Sequence, residues 1–413
     1  MSGMTKQRHT SGRLGIFLLV GALVLLIDSI LNYPIRLQGA SGLPWSILTV
    51  PCIAIYLYAN RNFKPLKRVF GLFALVAICG TVSITSPEED RGYFIQLPLI
   101  VSSFLLGVCI AEDDDTFEQF SHVIVLGLSI QAIVALLFFF RVLPIIPGEL
   151  AFFSAGGVVY ERPAYTVDQN YQAIYWTLAP TLLLYRSTLI KLLGLLICSI
   201  FVIALLELGS RSGLLVFFLS VALSGLMAVI RGFKSKIIST RIVVLAFFGS
   251  MLCFYAMSTE SFASYANEIN ERWFVLSARS NTIEGGETVF QRLESLFFFG
   301  RVFWESIFPL GLQEFIEMSG TVPHFSPTTL LLLYGWFGVA LWAIWLGYPA
   351  SQAAFRLIGA KLTFQETAVF IGFLTAIAAI LTLPSPFTKV IWLLAGIVSV
   401  RTSLLRQTPK ALR

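Results

Sequence analysis

The sequence predicts an all-α polytopic membrane protein of about 12 transmembrane helices, with one long loop between the ninth and tenth. Three observations carry that expectation. Of 413 residues 56% are hydrophobic and only 13% charged, with a mean hydropathy of +0.80. A soluble domain carries charge on roughly a quarter of its residues, so lipid has to solvate much of this surface. Apolar runs of membrane length then recur along the chain, and the basic residues sit in short clusters between them.

A membrane helix needs ~20 mostly apolar residues, with ~17 as a floor. The runs fall at 14–31, 43–59, 69–85, 94–111, 122–143, 171–186, 188–207, 212–230, 241–258, 327–348, 365–383 and 387–403. The sixth and seventh are closely spaced and the last is short, which leaves the count open by one. Lys6, Arg8 and Arg13 before the first run resemble the start of a signal peptide. That run is long for a signal core and lacks a small-residue cleavage site, so an uncleaved first helix is predicted. No soluble domain can be cut out. Residues 1–413 are therefore expected to form a single integral membrane domain, with the long loop at 259–326 inside it.

Orientation follows from counting basic residues, which favour the cytoplasmic side. A cytoplasmic N-terminus puts 19 of the 29 Lys and Arg residues inside, and both termini then lie in the cytoplasm. Of the ten left outside, nine are arginines: Arg36, Arg91, Arg141, Arg162, Arg211, Arg272, Arg279, Arg292 and Arg301. Lys389 is the lone outside lysine. A guanidinium fork suits phosphate oxygens better than an ammonium does, so this face suggests an anionic ligand such as a diphosphate. The net charge of +6 is spread as orientation signals and does not point to nucleic acid.

Several polar features have bland readings. The cysteines (Cys52, Cys79, Cys109, Cys198 and Cys253) lie inside apolar runs without CxxC spacing, as small core residues do. Asp113-Asp114-Asp115 contains a DxD pattern, but its short loop has no room for a nucleotide-binding domain. It reads as part of a solvated charge run, Glu112–Asp115. Asp28 lies within the first run and reads as a helix–helix hydrogen-bond partner rather than an ion site.

Four segments carry candidate chemistry. In Leu206-Glu207-Leu208-Gly209-Ser210-Arg211-Ser212-Gly213, Arg211 sits at the edge of the membrane, where an unpaired charge is costly. It is either a functional group or an anchor paired with Glu207 four residues earlier. Arg162 precedes Asp168-Gln169-Asn170-Tyr171, where Asp168 or Asn170 can cap the sixth helix. In the long loop, Val289–Phe308 is too charged to span and reads as an amphipathic or re-entrant helix at the interface. Arg292 and Arg301 would face opposite ways on one helix unless Gly300 breaks it. His324 follows Pro323 at the mouth of the tenth run, either as an ordinary polar residue or as a proton acceptor.

Together these segments resemble the O-antigen ligase and O-antigen (exopolysaccharide) polymerase superfamily of bacterial inner-membrane glycosyltransferases. Gly209–Gly213 is similar to that family's Ser-Arg turn before a Leu-rich helix, and Asp168-Gln169-Asn170 to the segment that opens one of its spans. Gly300-Arg301-Val302-Phe303-Trp304 with Pro309-Leu310-Gly311 resembles its GR..W…PL.G segment. His324 with Gly335 and Gly338 resembles its HN…G..G segment. The matches run in the family's order from about 160 to 340. Two positions depart from the pattern. Phe325 stands where Asn, Ser or Gln is usual, with Ser326 a possible substitute, and the second glycine after PL.G is absent.

The resemblance implies metal-independent glycan transfer at the periplasmic face, with no cofactor. The donor would be a glycan on undecaprenyl diphosphate, and the acceptor another glycan or lipid A-core. Arg211, Arg292, Arg301 and Arg162 would bind the diphosphate, and His324, Arg211 and Arg301 would be the catalytic residues. A flippase and a chain-length regulator would be its functional partners. Polymerase is favoured over ligase only because the superfamily supplies exopolysaccharide as well as O-antigen polymerases. The rival reading is a transporter or flippase, for which internal repeats and paired charges inside the spans are expected but not evident. A reporter fused near residue 290 is expected to be active only in the periplasm, and reporters near 65 and 236 only in the cytoplasm. A cytoplasmic signal at 290 would contradict the orientation.

Overall fold

Inside a bilayer every backbone polar group has to be satisfied within the protein, and helices do this with their own hydrogen bonds. The computed structural model describes residues 2–37, 44–144, 152–155, 158–161, 169–207, 211–235, 295–319, 323, 325–359, 362–382 and 386–407. They are predominantly helical, the exception being one antiparallel hairpin that pairs Phe152–Ala155 with Val158–Glu161. Eight described helices are long and apolar enough to cross a membrane: Leu14–Ile35, Lys64–Thr85, Asp90–Glu112, Asp114–Phe139, Thr188–Leu206, Ser212–Ile230, Ser326–Ile358 and Phe364–Leu381. Trp45–Asn60 is apolar but shorter. Lys389–Gln407 is a further helix of 19 residues, nearly all buried from Val390 to Val400. The run at 241–258 and most of the 259–326 loop lie outside the described residues.

The sixth run, 171–186, is not one continuous span. An α-helix over Gln169–Trp176 gives way to a 3-10 helix over Ala179–Leu184. Pro180 explains the break: its ring clashes with the carbonyl four residues back, at Trp176. The carbonyl of Thr177, at the break, accepts the buried Ser220 hydroxyl at 2.6 Å. Trp176 stacks flat on Phe201, with centroids 4.6 Å apart. The tenth run is longer than predicted from 327–348, because helix Ser326–Trp342 passes through a π-helical turn at Ala343–Gly347 into helix Tyr348–Gly359.

At the centre, helix Gln96–Glu112 crosses helix Lys389–Gln407 backbone to backbone. A Cβ on Gly107 would stand 2.1 Å from the Leu393 carbonyl oxygen, and one on Gly396 would stand 2.2 Å from that of Phe104. Lipid tails are as apolar as leucine, so tight packing through small residues is what joins helices here. Helix Ser2–Leu31 is tied to helix Asp114–Phe139 by the Gln131 amide, which donates to the Leu26 carbonyl at 2.6 Å. The buried Asp28 carboxylate accepts the Ser46 N–H at 3.2 Å, a hydrogen bond between helical segments as expected.

The Glu112–Asp115 segment is solvated at Asp114 and Asp115, as expected, and is also tied into the bundle by two ion pairs. Glu112 pairs with Arg68 at 2.9 Å and Asp114 with Arg401 at 2.6 Å. Arg401 is itself buried, with its guanidinium 3.9 Å from the Phe117 ring centroid. A cation in that position needs a counter-charge, and the acidic run supplies it. Cys79 and Cys109 are buried and Cys52 and Cys198 half-buried, all four as free thiols; Cys253 lies outside the described residues.

The glycine crossing predicts its own test. Gly107→Leu or Gly396→Leu is expected to destabilise the purified protein by about 1–3 kcal/mol through overpacking, read as a lower thermal midpoint. An unchanged midpoint in both variants would contradict the close crossing.

Candidate functional site

Helix Ser326–Trp342 begins with Phe325 in extended conformation and Pro327 in its first turn. Pro327 fits there because the first helical N–H groups have no partner within the helix. The helix is interrupted at Gly335, where φ is +61° and ψ −149°. Only glycine occupies that region without strain. Space demands glycine as well, since a Cβ would stand 2.2 Å from the Ile307 carbonyl oxygen.

The interruption removes helical partners from the carbonyls just before it, because an α-helix bonds each C=O to the N–H four residues on. Other segments replace them. Leu332 O accepts the Gly311 N–H at 3.0 Å, and Leu333 O accepts the Ser86 hydroxyl at 3.3 Å. Gly311 has a φ of +92°, and the next amide, Leu312 N–H, donates to the buried Asp90 carboxylate at 2.8 Å. The Tyr334 hydroxyl donates to the Tyr93 carbonyl at 3.3 Å, and the Trp336 indole N–H donates to the Phe303 carbonyl. The chain from Phe303 to Leu312 is thereby clamped between the broken helix and the segment 83–95.

A short helix over 295–302 docks at the start of the same helix. The Thr328 hydroxyl donates to Ser295 O at 2.8 Å, and Phe299 meets Phe325 edge-on at 5.9 Å. Of the two alternatives the sequence left open, Gly300 lies within this helix and does not break it. Its position is open, with nothing within 4 Å of a Cβ, so no close contact distorts the backbone there. Arg301 is exposed, its guanidinium 5.3 Å from the Phe298 ring centroid. Exposed Trp304 completes an aromatic group with Phe303 and Trp336. Two of the four segments singled out in the sequence, 300–311 and the residues following 324, are therefore one packed unit.

The other two also meet. Helix Arg211–Ser235 packs against helix Gln169–Trp176 and the 3-10 segment after it, pinned by the Ser220–Thr177 hydrogen bond. Arg211 is the first residue of its helix. Beside it, the buried Ser212 hydroxyl has no hydrogen-bond partner among the described residues. Helix Phe364–Thr382 touches both units: helices Gln169–Trp176 and Arg211–Ser235 on one hand, and Ser326–Trp342 on the other. Arg162, Asp168, Gly209, Ser210, Arg292 and His324 lie outside the described residues, as does the side chain of Arg211. Among the described residues no group of three or more His, Cys, Asp or Glu side chains could hold a metal ion.

Sequence reasoning missed the clamp. Gly335 and Gly338 were noticed for their spacing, whereas their role is spatial: a Cβ on Gly338 would stand 2.2 Å from Leu330 O. Ser86 and Asp90 carried no signal that set them apart from other loop residues.

The fold defines a class, a helical protein with eight described helices of membrane length and apolarity. No protein-family model matches the chain, and no curated protein matches it.

Proposed function

We propose that the protein transfers a glycan from an undecaprenyl-diphosphate-linked donor to an acceptor hydroxyl at the periplasmic face of a bacterial inner membrane. This is the chemistry of O-antigen and exopolysaccharide polymerases and of O-antigen ligases, with polymerase favoured. The observation that supports it is the clamp. The 300–311 segment and the helix after His324 resemble two separate stretches of that superfamily, and here they share hydrogen bonds. The arginine bias of the proposed outer face supplies cations for a diphosphate. The internal ion pairs Arg68–Glu112 and Arg401–Asp114 join residues that the orientation assigns to the cytoplasmic end, apart from the clamp.

In the proposed step the acceptor hydroxyl oxygen attacks the anomeric carbon of the donor. The bond from that carbon to the diphosphate oxygen breaks, and undecaprenyl diphosphate leaves with the electron pair. The hydroxyl proton passes to His324. Arg211 and Arg301, with Arg292 and Arg162, hold the diphosphate and stabilise the charge that develops on it, as preorganised cations do. A lipid-linked donor needs no nucleotide site.

Arg211→Ala and Arg301→Ala are expected to abolish glycan assembly while the protein still inserts and accumulates. Lysine at either position should restore little, because an ammonium lacks the two-pronged geometry. His324→Ala should lower turnover by about 10² to 10⁴. It should also remove an acid limb near about pH 6.5, the ordinary imidazole range. Purified variants assayed with lipid-linked donor and acceptor from acid to alkaline pH would show this. Wild-type turnover in all three alanine variants would overturn the reading.

A further inference from the structure

An open groove of about 670 Å³ is lined by Ala77, Gly80, Thr81, Ser83, Ile84, Phe94 and Arg91. Its size falls within the ~300–1,000 Å³ of ordinary small-molecule sites. Phe94 forms one wall, lying so close that a Cβ on Gly80 would stand 2.5 Å from its ring. Ile84 and Phe94 in its lining are exposed apolar side chains, so it opens on an apolar surface of the kind a bilayer surrounds. The lining hydroxyls are already committed: Thr81 donates to Ala77 O at 2.9 Å and Ser83 to Gly80 O at 2.7 Å.

Arg91 is the one charged residue in the lining. It is held loosely. Its guanidinium reaches Glu88 Oε1 and Ile84 O at 3.5 Å each. A well-formed charge-assisted bond is about 2.7–2.9 Å. Asp90 does not compete, because its carboxylate is buried on Leu312 N–H. Among the described side chains the mouth thus presents one loosely held cation and, beside it, the highly exposed Glu88 carboxylate.

We infer that this groove is a site for a zwitterionic phosphoethanolamine lipid, with an acyl chain in the cavity, its phosphate on Arg91 and its ammonium on Glu88. A lone arginine matches the single charge of a phosphodiester, whereas a diphosphate calls for more cations. The adjacent carboxylate complements an ammonium and disfavours a headgroup of net negative charge. The groove shares the 83–95 segment with the clamp, and lipid binding is read without any glycan transfer, so the two readings fail separately.

Native mass spectrometry of the purified full-length protein tests it, with phosphatidylethanolamine, phosphatidylglycerol and undecaprenyl phosphate added in turn. Phosphatidylethanolamine is expected to bind in preference to the other two. Arg91→Gln should weaken it about tenfold or more, the scale of one lost hydrogen bond to a charged group. Glu88→Gln should erase the preference over phosphatidylglycerol, and Ala77→Trp should block binding by filling the groove. Preferential binding of phosphatidylglycerol or undecaprenyl phosphate would overturn the assignment. So would wild-type binding of phosphatidylethanolamine in Arg91→Gln and Ala77→Trp.

Discussion

The interruption at Gly335 is the constraint on which the rest of this end of the molecule depends. An apolar bundle offers no water to a carbonyl released from a helix, so each one needs a partner from the protein. Leu332 and Leu333 release two, and the partners come from segments far away in sequence, Gly311 and Ser86. Satisfying the backbone therefore fixes where the 303–312 chain runs. It also positions the exposed Arg301 and Trp304, which lie at the end of the docked 295–302 helix. A second interruption, after Trp176, works in the same way through Ser220.

These interruptions rest on a closely packed scaffold. The Gly107–Gly396 crossing brings two helices into backbone contact, and helix Phe364–Thr382 spans from that region to both motif-bearing units. The arrangement separates rigid packing from candidate chemistry. Buried glycines and fully buried side chains such as Trp392 and Phe104 hold the bundle together, while arginine and tryptophan are exposed on the clamped segment.

Much of the helical layout was legible because apolar runs of about 20 residues are a direct imprint of the bilayer. What the runs do not encode is whether the backbone stays α-helical within them. The 171–186 run is mostly apolar, and Pro180 is the residue in it that disrupts an α-helix. Gly335 looked like any glycine in a membrane helix, since a positive φ leaves no mark on composition. The acidic run at 112–115 is solvated at Asp114 and Asp115 as its charge suggests, but its ion pairs left no mark in the sequence because Arg68 and Arg401 lie 44 and 287 residues away from Glu112 and Asp114. For the candidate site, sequence supplied the segments and the structure supplied their pairing. The 300–311 stretch and the helix after His324 were adjacent only in motif order until Gly311 was found bonded to Leu332.

The central claim is that the break at Gly335 holds the arginine-bearing segment in place. Hydrogen–deuterium exchange at the Gly311 and Leu312 amides addresses it directly. Both amides should exchange slowly in the wild-type protein. In Gly335→Ala, where the added Cβ meets the Ile307 carbonyl, both should lose protection while helix Gln96–Glu112 keeps its own. Equal protection of Gly311 and Leu312 in the two proteins would contradict the account.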